Sequence, residues 1–591
     1  MRGGAASAGK RLLLPAGLLL IGLCCLNGLD STASYHIDES YYLLSGLAMV
    51  QTGNYLYPVY EGQPRFQKPI LPYWAVSIAY RLLGPGLAAA RLPSLAFALL
   101  TIVLTYRLGG LLWASRPAAL LSALALAANV MFFTFARFCI TDMMLTLMVT
   151  AALYFFARWH FEEPPRRIFS SLAVLSMAIA VMVKGPLGLV IPLGTISCFL
   201  VRRHGRNAPS LLAVMFSPWH LFLFLLVTLP WPLAMYHRFG ESFLAHVFVR
   251  ETMDRVGITA SSLAGNALRY SWALARYLFP WWLALIPLLS GTARTRAGWG
   301  GGAGADDGGR AQFLCINIFT VLVVLLFALK TYSFKYLLPL TPAFSLLVGR
   351  QLAGRGWAAR SPGQRLPAFH LGAAILMIGV GLAGIALFLA GFRFPEIRSP
   401  WPLLLAALSL GGTLLTARLR FHGRHAWAAG TVAGTMLLQL SLVFGTVLPL
   451  LRPDAVSLLG KVHLRGVLRR EDSIVTAGLD EKKRAWLQIA AARVAAPPVG
   501  DTLAARPGES LPRSVAGRTY LVVGEEEMAT LLDDARQRYR LVASAREFRR
   551  TSLGTFLKAL RREAATAIPE SVFYLLADRD PPVPPVERPG L

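Results

Sequence analysis

Charge is what this sequence has least of. Only 15% of its 591 residues are Asp, Glu, Lys or Arg, while 55% are apolar. An ordinary soluble domain is about 25% charged. Burying a large core in water does not require so few charges, which argues against a wholly soluble enzyme and excludes a disordered or collagen-like chain. Acids are the scarcer sign, 31 against 59 Lys and Arg, for a net charge of +28. Cysteine is nearly missing too. The five (Cys24, Cys25, Cys139, Cys198 and Cys315) all lie in or beside apolar runs, which leaves no disulfide framework and no CxxC metal pattern. No Gly-rich phosphate loop precedes a helix, so no ATP site is indicated. No internal repeat is found.

Long apolar runs are what the sequence does have. A membrane-crossing helix needs about 20 apolar residues, fewer inside a bundle. Thirteen runs qualify, over 12–29, 91–106, 117–136, 140–157, 168–183, 185–201, 218–236, 271–291, 313–329, 336–349, 369–392, 401–417 and 426–450. The pair meeting at Lys184-Gly185-Pro186 can also be read as one broken helix. Residues 12–29 have a signal peptide as their alternative, with Ser31-Thr32-Ala33 as a weak cleavage site.

The charges then fall into place. The N-terminus and the even-numbered loops carry 21 positive charges against four acids, and the odd-numbered loops 15 against nine. Residues 451–591 carry 23 against 18. The more basic face is cytoplasmic, which sets the N-terminus inside and residues 451–591 outside. Most of the positive excess is therefore topological, and nucleic acid is not an expected partner.

Long loops fall on the outer side, where function is expected. The first opens with Tyr35-His36-Ile37-Asp38-Glu39-Ser40-Tyr41-Tyr42. Leu43, Leu47 and Val50 follow at helical spacing, which predicts an amphipathic helix over 39–52 lying on the membrane, with Asp38 at its N-cap. A cap needs one such residue; it needs neither Glu39 nor the aromatic cluster that includes Tyr42. Next comes Arg65-Phe66-Gln67-Lys68-Pro69-Ile70-Leu71-Pro72-Tyr73-Trp74, where Lys68 starts a second apolar juxtamembrane segment. A snorkelling lysine beside an aromatic belt is the plain alternative. Asp142 and Lys184 stand at outer helix ends, where ionisable groups are costly unless paired or functional. A structural ion pair, with Arg137 as a candidate partner, is the alternative there. In the loop over 237–270, His237 and His246 lack the spacing of a helical metal pair. A further loop, Lys330-Thr331-Tyr332-Ser333-Phe334-Lys335-Tyr336, sets cations beside phenols. That combination suits a lipid bearing phosphate and sugar, or simple anchoring.

Read in order, the motifs are Asp38-Glu39, Phe66-Gln67-Lys68-Pro69, Tyr73-Trp74, Ala136-Arg137-Phe138 leading to Asp142, Lys184-Gly185, Glu251 followed by Arg255, and Lys335-Tyr336-Leu337-Leu338-Pro339. The set resembles the GT-C membrane glycosyltransferases of the ArnT-like (lipid A aminoarabinose transferase) and protein O-mannosyltransferase type. The resemblance covers roughly residues 10–350, and the span layout extends it to 450. It implies a mainly α membrane fold of about thirteen transmembrane helices, with outer juxtamembrane helices and a cavity at the outer leaflet. It implies transfer of a sugar from a polyprenyl-phosphate carrier to a lipid, glycan or protein acceptor, with inversion at the anomeric carbon. By resemblance Asp38, with Glu39 beside it, is catalytic. Lys68 and Arg255 match positions that hold the donor phosphate, and Asp142, Lys184 and Tyr336 match supporting cavity positions; apart from the resemblance, Lys184 is also a candidate for the donor phosphate, and Tyr42 and Arg65 are candidates for the cavity. Two positions depart from the pattern. Gln67 stands where ArnT-type chains often have a Glu able to contact a divalent metal; an amide is a poor metal ligand, so no metal is taken as required. Tyr41 stands where an Arg often follows the catalytic Asp by three residues, and Arg65 is a candidate replacement for that charge.

The chemistry suits these residues without the family. Transfer from a sugar phosphodiester needs a base for the acceptor, and a carboxylate serves. The departing phosphate needs its growing charge stabilised, which Lys68, Arg255 and Lys184 can do, with more effect in a water-poor cavity.

Residues 451–580 read as a small extracytoplasmic α/β domain following the transmembrane module of 1–450, and 581–591 as a disordered Pro-rich tail. Ser473-Ile474-Val475-Thr476-Ala477-Gly478 and Thr519-Tyr520-Leu521-Val522-Val523-Gly524 predict buried strands, Leu541-Val542 the start of another, and 525–539 and 555–565 helices. Residues 298–309 read as a flexible linker. A polytopic transporter or lipid flippase is the competing function; it predicts paired halves and a site near the bilayer midplane. An envelope scaffold is the third, and it has no need of Asp38.

Overall fold

The computed structural model describes residues 15–31, 36, 38–247, 260–286, 307–327, 332–353, 368–393, 398–451, 473–477, 483–485, 487–489, 519–524, 539–548 and 570–578. Helix α1 is Pro15–Leu26. The first loop then supplies α2 (Glu39–Thr52), the hairpin β1–β2 (Val59–Tyr60 and Gln63–Pro64) and α3 (Leu71–Leu83). Helices α4 (Leu87–Trp113), α5 (Arg116–Ala127), α6 (Val130–Ala136), α7 (Thr141–Phe161), α8 (Arg167–Lys184) and α9 (Leu187–His204) follow. After them come α10 (Ala208–Met215), α11 (Pro218–Thr228), α12 (Pro230–Phe239), α13 (Glu241–Leu244) and α14 (Ala260–Tyr277). The helical part closes with α15 (Asp307–Phe327), α16 (Thr341–Ala353), α17 (Ala368–Arg393), α18 (Trp401–Phe421), α19 (His425–Leu442) and α20 (Leu448–Leu451).

Among the described residues eight helices are long and apolar enough to cross a membrane, or nine if α11 and α12, bent by 43°, form one span. Helix α17 turns Leu371, Ile375, Leu382, Leu389 and Phe392 outward, a surface suited to hydrocarbon rather than water. The chain is an integral membrane protein.

Several of the thirteen predicted runs are not single long helices among the described residues, for local reasons. The run 117–136 is cut at Asn129, whose side chain accepts from the Phe132 amide and caps α6. The run 271–291 is cut near Pro280, which precedes a 3₁₀ turn at Trp281–Leu285. The run 336–349 opens as a 3₁₀ segment, Phe334–Leu340, that contains Pro339. The run 12–29 yields only the short α1. Proline and a side-chain cap each end the regular ladder. The Lys184-Gly185-Pro186 junction, by contrast, separates two spans. Gly185 takes φ +69°, and α9 returns so close to α8 that a Cβ on Gly188 would lie 2.2 Å from the Ala180 carbonyl carbon.

Helix α2 has the predicted bounds but a different setting. Tyr42, Leu43, Leu44, Leu47 and Met49 are buried, and so are Ser40 and Ser45. It is enclosed rather than floating on the bilayer surface. Gly46 permits this, because a Cβ there would meet Val76 of α3 at 2.7 Å.

Beyond residue 451 the strands β3 (Ser473–Ala477), β4 (Thr519–Gly524), β5 (Tyr539–Phe548) and β6 (Glu570–Asp578) form a sheet of order β3-β4-β6-β5. Strands β3 and β4 are parallel, and the other pairs are antiparallel. Strand β6 was not predicted, although it lies inside the sheet. Tyr539, predicted as the end of a helix, begins β5, and Asp307, predicted in the linker, begins α15. The helices predicted over 525–538 and 555–565, the linker over 298–306 and the tail over 581–591 lie outside the described residues.

Candidate active site

Asp38 stands at the N-cap of α2 with φ −69° and ψ −13°, yet its side chain makes no capping hydrogen bond. Its carboxylate instead accepts from the Lys335 ammonium, 297 positions away in the chain. The cap alternative thus fails, and the Asp38 side chain keeps 32% of its surface open. The Asp38 amide donates to His36 Nδ1 at 3.2 Å, and the His36 ring leans on Phe135 and Phe138. Burial alone would raise the Asp38 carboxyl. The charge and hydrogen bond of Lys335, with help from His36 and Lys184, outweigh burial and hold it below the usual carboxylate range. Burial also works against the Lys335 charge, but Asp142 and Asp38 overcome it and raise that ammonium. His36 is lowered, by burial first and then by Lys335.

A second pair lies beside the first. Asp142 in the first turn of α7 and Lys184 in the last turn of α8 meet at 2.5 Å, with side chains 2% and 4% exposed. An acid at a helix N-terminus and a base at a C-terminus are each favoured by the helix dipole. The Tyr336 ring lies 4.3 Å from Lys184 Nζ. Arg137, the partner considered for this pair, is elsewhere: it donates to the Cys25 carbonyl. Lys68 donates to the Gln67 carbonyl at 2.8 Å, and its charge reaches Lys184. Among the described residues, Lys68, Lys184 and Lys335 thus act on one another and on Asp38 and Asp142.

Glu39 has a different environment. It is fully buried, and both its oxygens accept from Arg91 at 2.8 Å. The Cys139 amide donates to Oε1 at 2.7 Å and the His36 amide to Oε2 at 3.1 Å. Arg91 also donates to the carbonyls of Leu29 and Ser31. A carboxylate so engaged has no lone pair free for an acceptor. As a catalytic group Glu39 is therefore replaced by Glu39 as the knot that ties the first loop to α4 and to the turn before α7.

Among the other sequence candidates, Tyr42 is buried with its ring 5.1 Å from Tyr73. The Arg65 guanidinium lies 3.7 Å over the ring of Tyr41 and donates to the Tyr73 hydroxyl. The residue that departs from the family pattern thereby seats the cation proposed to replace it. Arg255 lies outside the described residues, as does Glu251. Among the described residues no three His, Cys, Asp or Glu side chains come together as a metal site. Both acids nearest the cluster are engaged by lysines, and the Gln67 amide oxygen is buried without a hydrogen-bond partner.

Lys335 and Arg91 are the two residues whose roles sequence reasoning missed. Lys335 was visible in a basic, aromatic loop and at the start of the last resemblance motif, with no role given to it. Arg91 carried a usable signal, an arginine at the head of an apolar span, which is costly without a partner.

Against known families, residues 27–244 match the model described as dolichyl-phosphate-mannose-protein mannosyltransferase. A protein of Aquifex aeolicus, named only as uncharacterized, is 32% identical over 37% of this chain and 42% of its own. The undecaprenyl phosphate-alpha-4-amino-4-deoxy-L-arabinose arabinosyl transferase of Pectobacterium carotovorum is 26% identical over 73% of this chain and 75% of its own. The crystal structure of ArnT from Cupriavidus metallidurans bound to undecaprenyl phosphate superposes with a TM-score of 0.69 and 18% identity, covering 96% of this chain and 98% of that one. The chain is thus similar in sequence to polyprenyl-phosphate-dependent membrane glycosyltransferases over part or most of its length, and similar in fold to ArnT. The matched family region contains Asp38, Glu39, Lys68, Asp142 and Lys184 and stops short of Lys335 and Tyr336. The fold likeness to this GT-C structure extends over nearly the whole chain, so the remaining helices are part of the same architecture.

Proposed function

We propose that the protein transfers a sugar from a polyprenyl-phosphate carrier to a lipid, glycan or protein acceptor at the outer face of the membrane, with inversion at the anomeric carbon. The observation that carries this reading is the cluster itself, a part-exposed carboxylate among three lysines at the ends of membrane-embedded helices. Asp38 accepts the proton of the acceptor group as its oxygen bonds to the anomeric carbon. The bond from that carbon to the carrier phosphate breaks, and polyprenyl phosphate leaves with the electron pair and the negative charge. Lys68 and Lys184 stabilise that charge, joined by Arg255 from the loop before α14. Charge development in a low-dielectric cavity is where fixed cations contribute most. Asp142 orients Lys184, while Tyr42, Arg65 and Tyr336 shape the walls.

The charge asymmetry of the loops supports an inside N-terminus and an outside site. In the same reading residues 451–580 form an outer domain that positions the acceptor. Binding of undecaprenyl phosphate to the purified full chain tests the donor class. Saturable binding that weakens in Lys68→Ala and Lys184→Ala supports it; no saturable binding by the wild type sinks it.

A further inference from the structure

Lys335 donates to one oxygen of the carboxylate proposed as the base. The two groups are parts of segments brought together only by folding, α2 and the 3₁₀ segment before α16. Lys335 does not hold Asp38 in a sealed site; the side chains keep 13% and 32% of their surfaces open. The neighbours show where else the ammonium can turn. Its Nζ lies 5.9 Å from the Tyr336 ring centre, and Lys184 Nζ sits 4.3 Å from the centre of the same ring. Asp142 acts on Lys335 as well as on Lys184. A phosphate reaching Lys184 therefore comes within a side-chain rotation of Lys335, and a lysine stem supplies that rotation.

Resting on the donor reading given above, we propose that Lys335 is an exchangeable counter-ion: it caps the Asp38 carboxylate in the empty enzyme and moves to the donor phosphate when the carrier binds, so that the donor itself releases the base. One cation cannot fully satisfy two anions, so binding of phosphate and pairing with Asp38 compete for it. The lowered proton affinity of Asp38 in the empty site agrees with a base held inactive until then. Lys335 is in this sense a positioning residue for the proton-transfer step. The device keeps Asp38 from attacking protons of water or acceptor in a site with no donor.

The test is a double-mutant cycle read by binding, with undecaprenyl phosphate carrying no sugar as the probe and the full chain in nanodiscs. Competition for one cation predicts that Asp38→Asn tightens binding by about tenfold, within the usual range of site-to-site coupling. In a Lys335→Gln background the same Asp38→Asn change tightens it less than about twofold, because the contested cation is gone. Lys335→Arg, which keeps the cation, restores the tenfold effect, so a folding defect in Lys335→Gln is told apart from loss of coupling. If Asp38→Asn tightens binding equally in both backgrounds, plain repulsion between carboxylate and phosphate explains it and the exchange is overturned while the donor reading stands. If the wild type does not bind the probe at all, the donor reading falls and the exchange with it.

Discussion

Asp38 and Glu39 are neighbours in the chain whose carboxylates serve separate ends. Asp38 meets Lys335 in a part-open site, whereas Glu39 is buried in a bidentate pair with Arg91 and closed by two backbone amides. One turn of backbone thus carries the acid proposed as the base and, beside it, an acid locked into the fold. The contrast separates chemistry from stability at adjacent positions.

Glu39→Gln is expected to act through the fold. Removing one charge from a buried, hydrogen-bonded pair costs about 3–5 kcal/mol because the partner is left uncompensated. Thermal unfolding of the detergent-solubilised chain should fall clearly for Glu39→Gln and for Arg91→Met, and by much less for Asp38→Asn. Equal unfolding temperatures for Glu39→Gln and the wild type would remove the anchoring role.

The acid limb of activity should differ between the free and the loaded enzyme. The groups facing Asp38 are Lys335, His36 and Lys184. In the empty site the Asp38 carboxyl is held below its ordinary value, so it loses its proton early as pH rises. Once Lys335 has turned to the phosphate that support weakens and the value climbs. The limb in kcat, which reports the complex, is therefore expected at higher pH than the limb in kcat/KM, which reports the free enzyme. Because the folded-state value is depressed, the Asp38–Lys335 pair also contributes stability above the unfolded carboxyl value, and that contribution is lost as pH falls through the folded one. Coincident limbs would contradict the exchange.

Gly188→Val should loosen the donor site from a distance. The Cβ would sit 2.2 Å from the Ala180 backbone, which a flexible neighbour cannot relieve. Helices α8 and α9 must part, at an overpacking cost of about 1–3 kcal/mol, and Lys184 lies at the end of α8. Weaker undecaprenyl phosphate binding together with a lower unfolding temperature is the expected outcome. A stability loss with unchanged binding would show that the α8–α9 packing does not set Lys184.

How much of this was legible in the sequence depends on the range over which each feature is fixed. The bounds of α2 and the strands β3 and β4 follow from local patterns, and they appear where periodicity and apolar runs place them. The Asp142–Lys184 pair was within reach, because two ionisable groups at span ends ask for partners; the partner chosen from sequence, Arg137, was simply nearer in the chain. Glu39 and Asp38 look alike in sequence, and only Arg91, 52 positions on, distinguishes them. Asn129, Pro280 and Pro339 break runs that are apolar throughout, and composition alone does not register a cap or a missing amide donor. Strand β6 was not read from the sequence, although it holds six consecutive apolar residues, 572–577. Arg255 remains a candidate by motif alone.

The central claim, that Asp38 is the base of sugar transfer from a lipid phosphate, is tested most directly by the rate of that transfer. Proteoliposomes holding the full chain would be supplied with a panel of undecaprenyl-phosphate-linked sugars and envelope extract, and released undecaprenyl phosphate counted. The expected result is release with at least one sugar by the wild type, and a rate lower by about 10²–10⁴-fold in Asp38→Asn, the usual contribution of a general base, with unfolding temperature unchanged. Release at the wild-type rate by Asp38→Asn would contradict it.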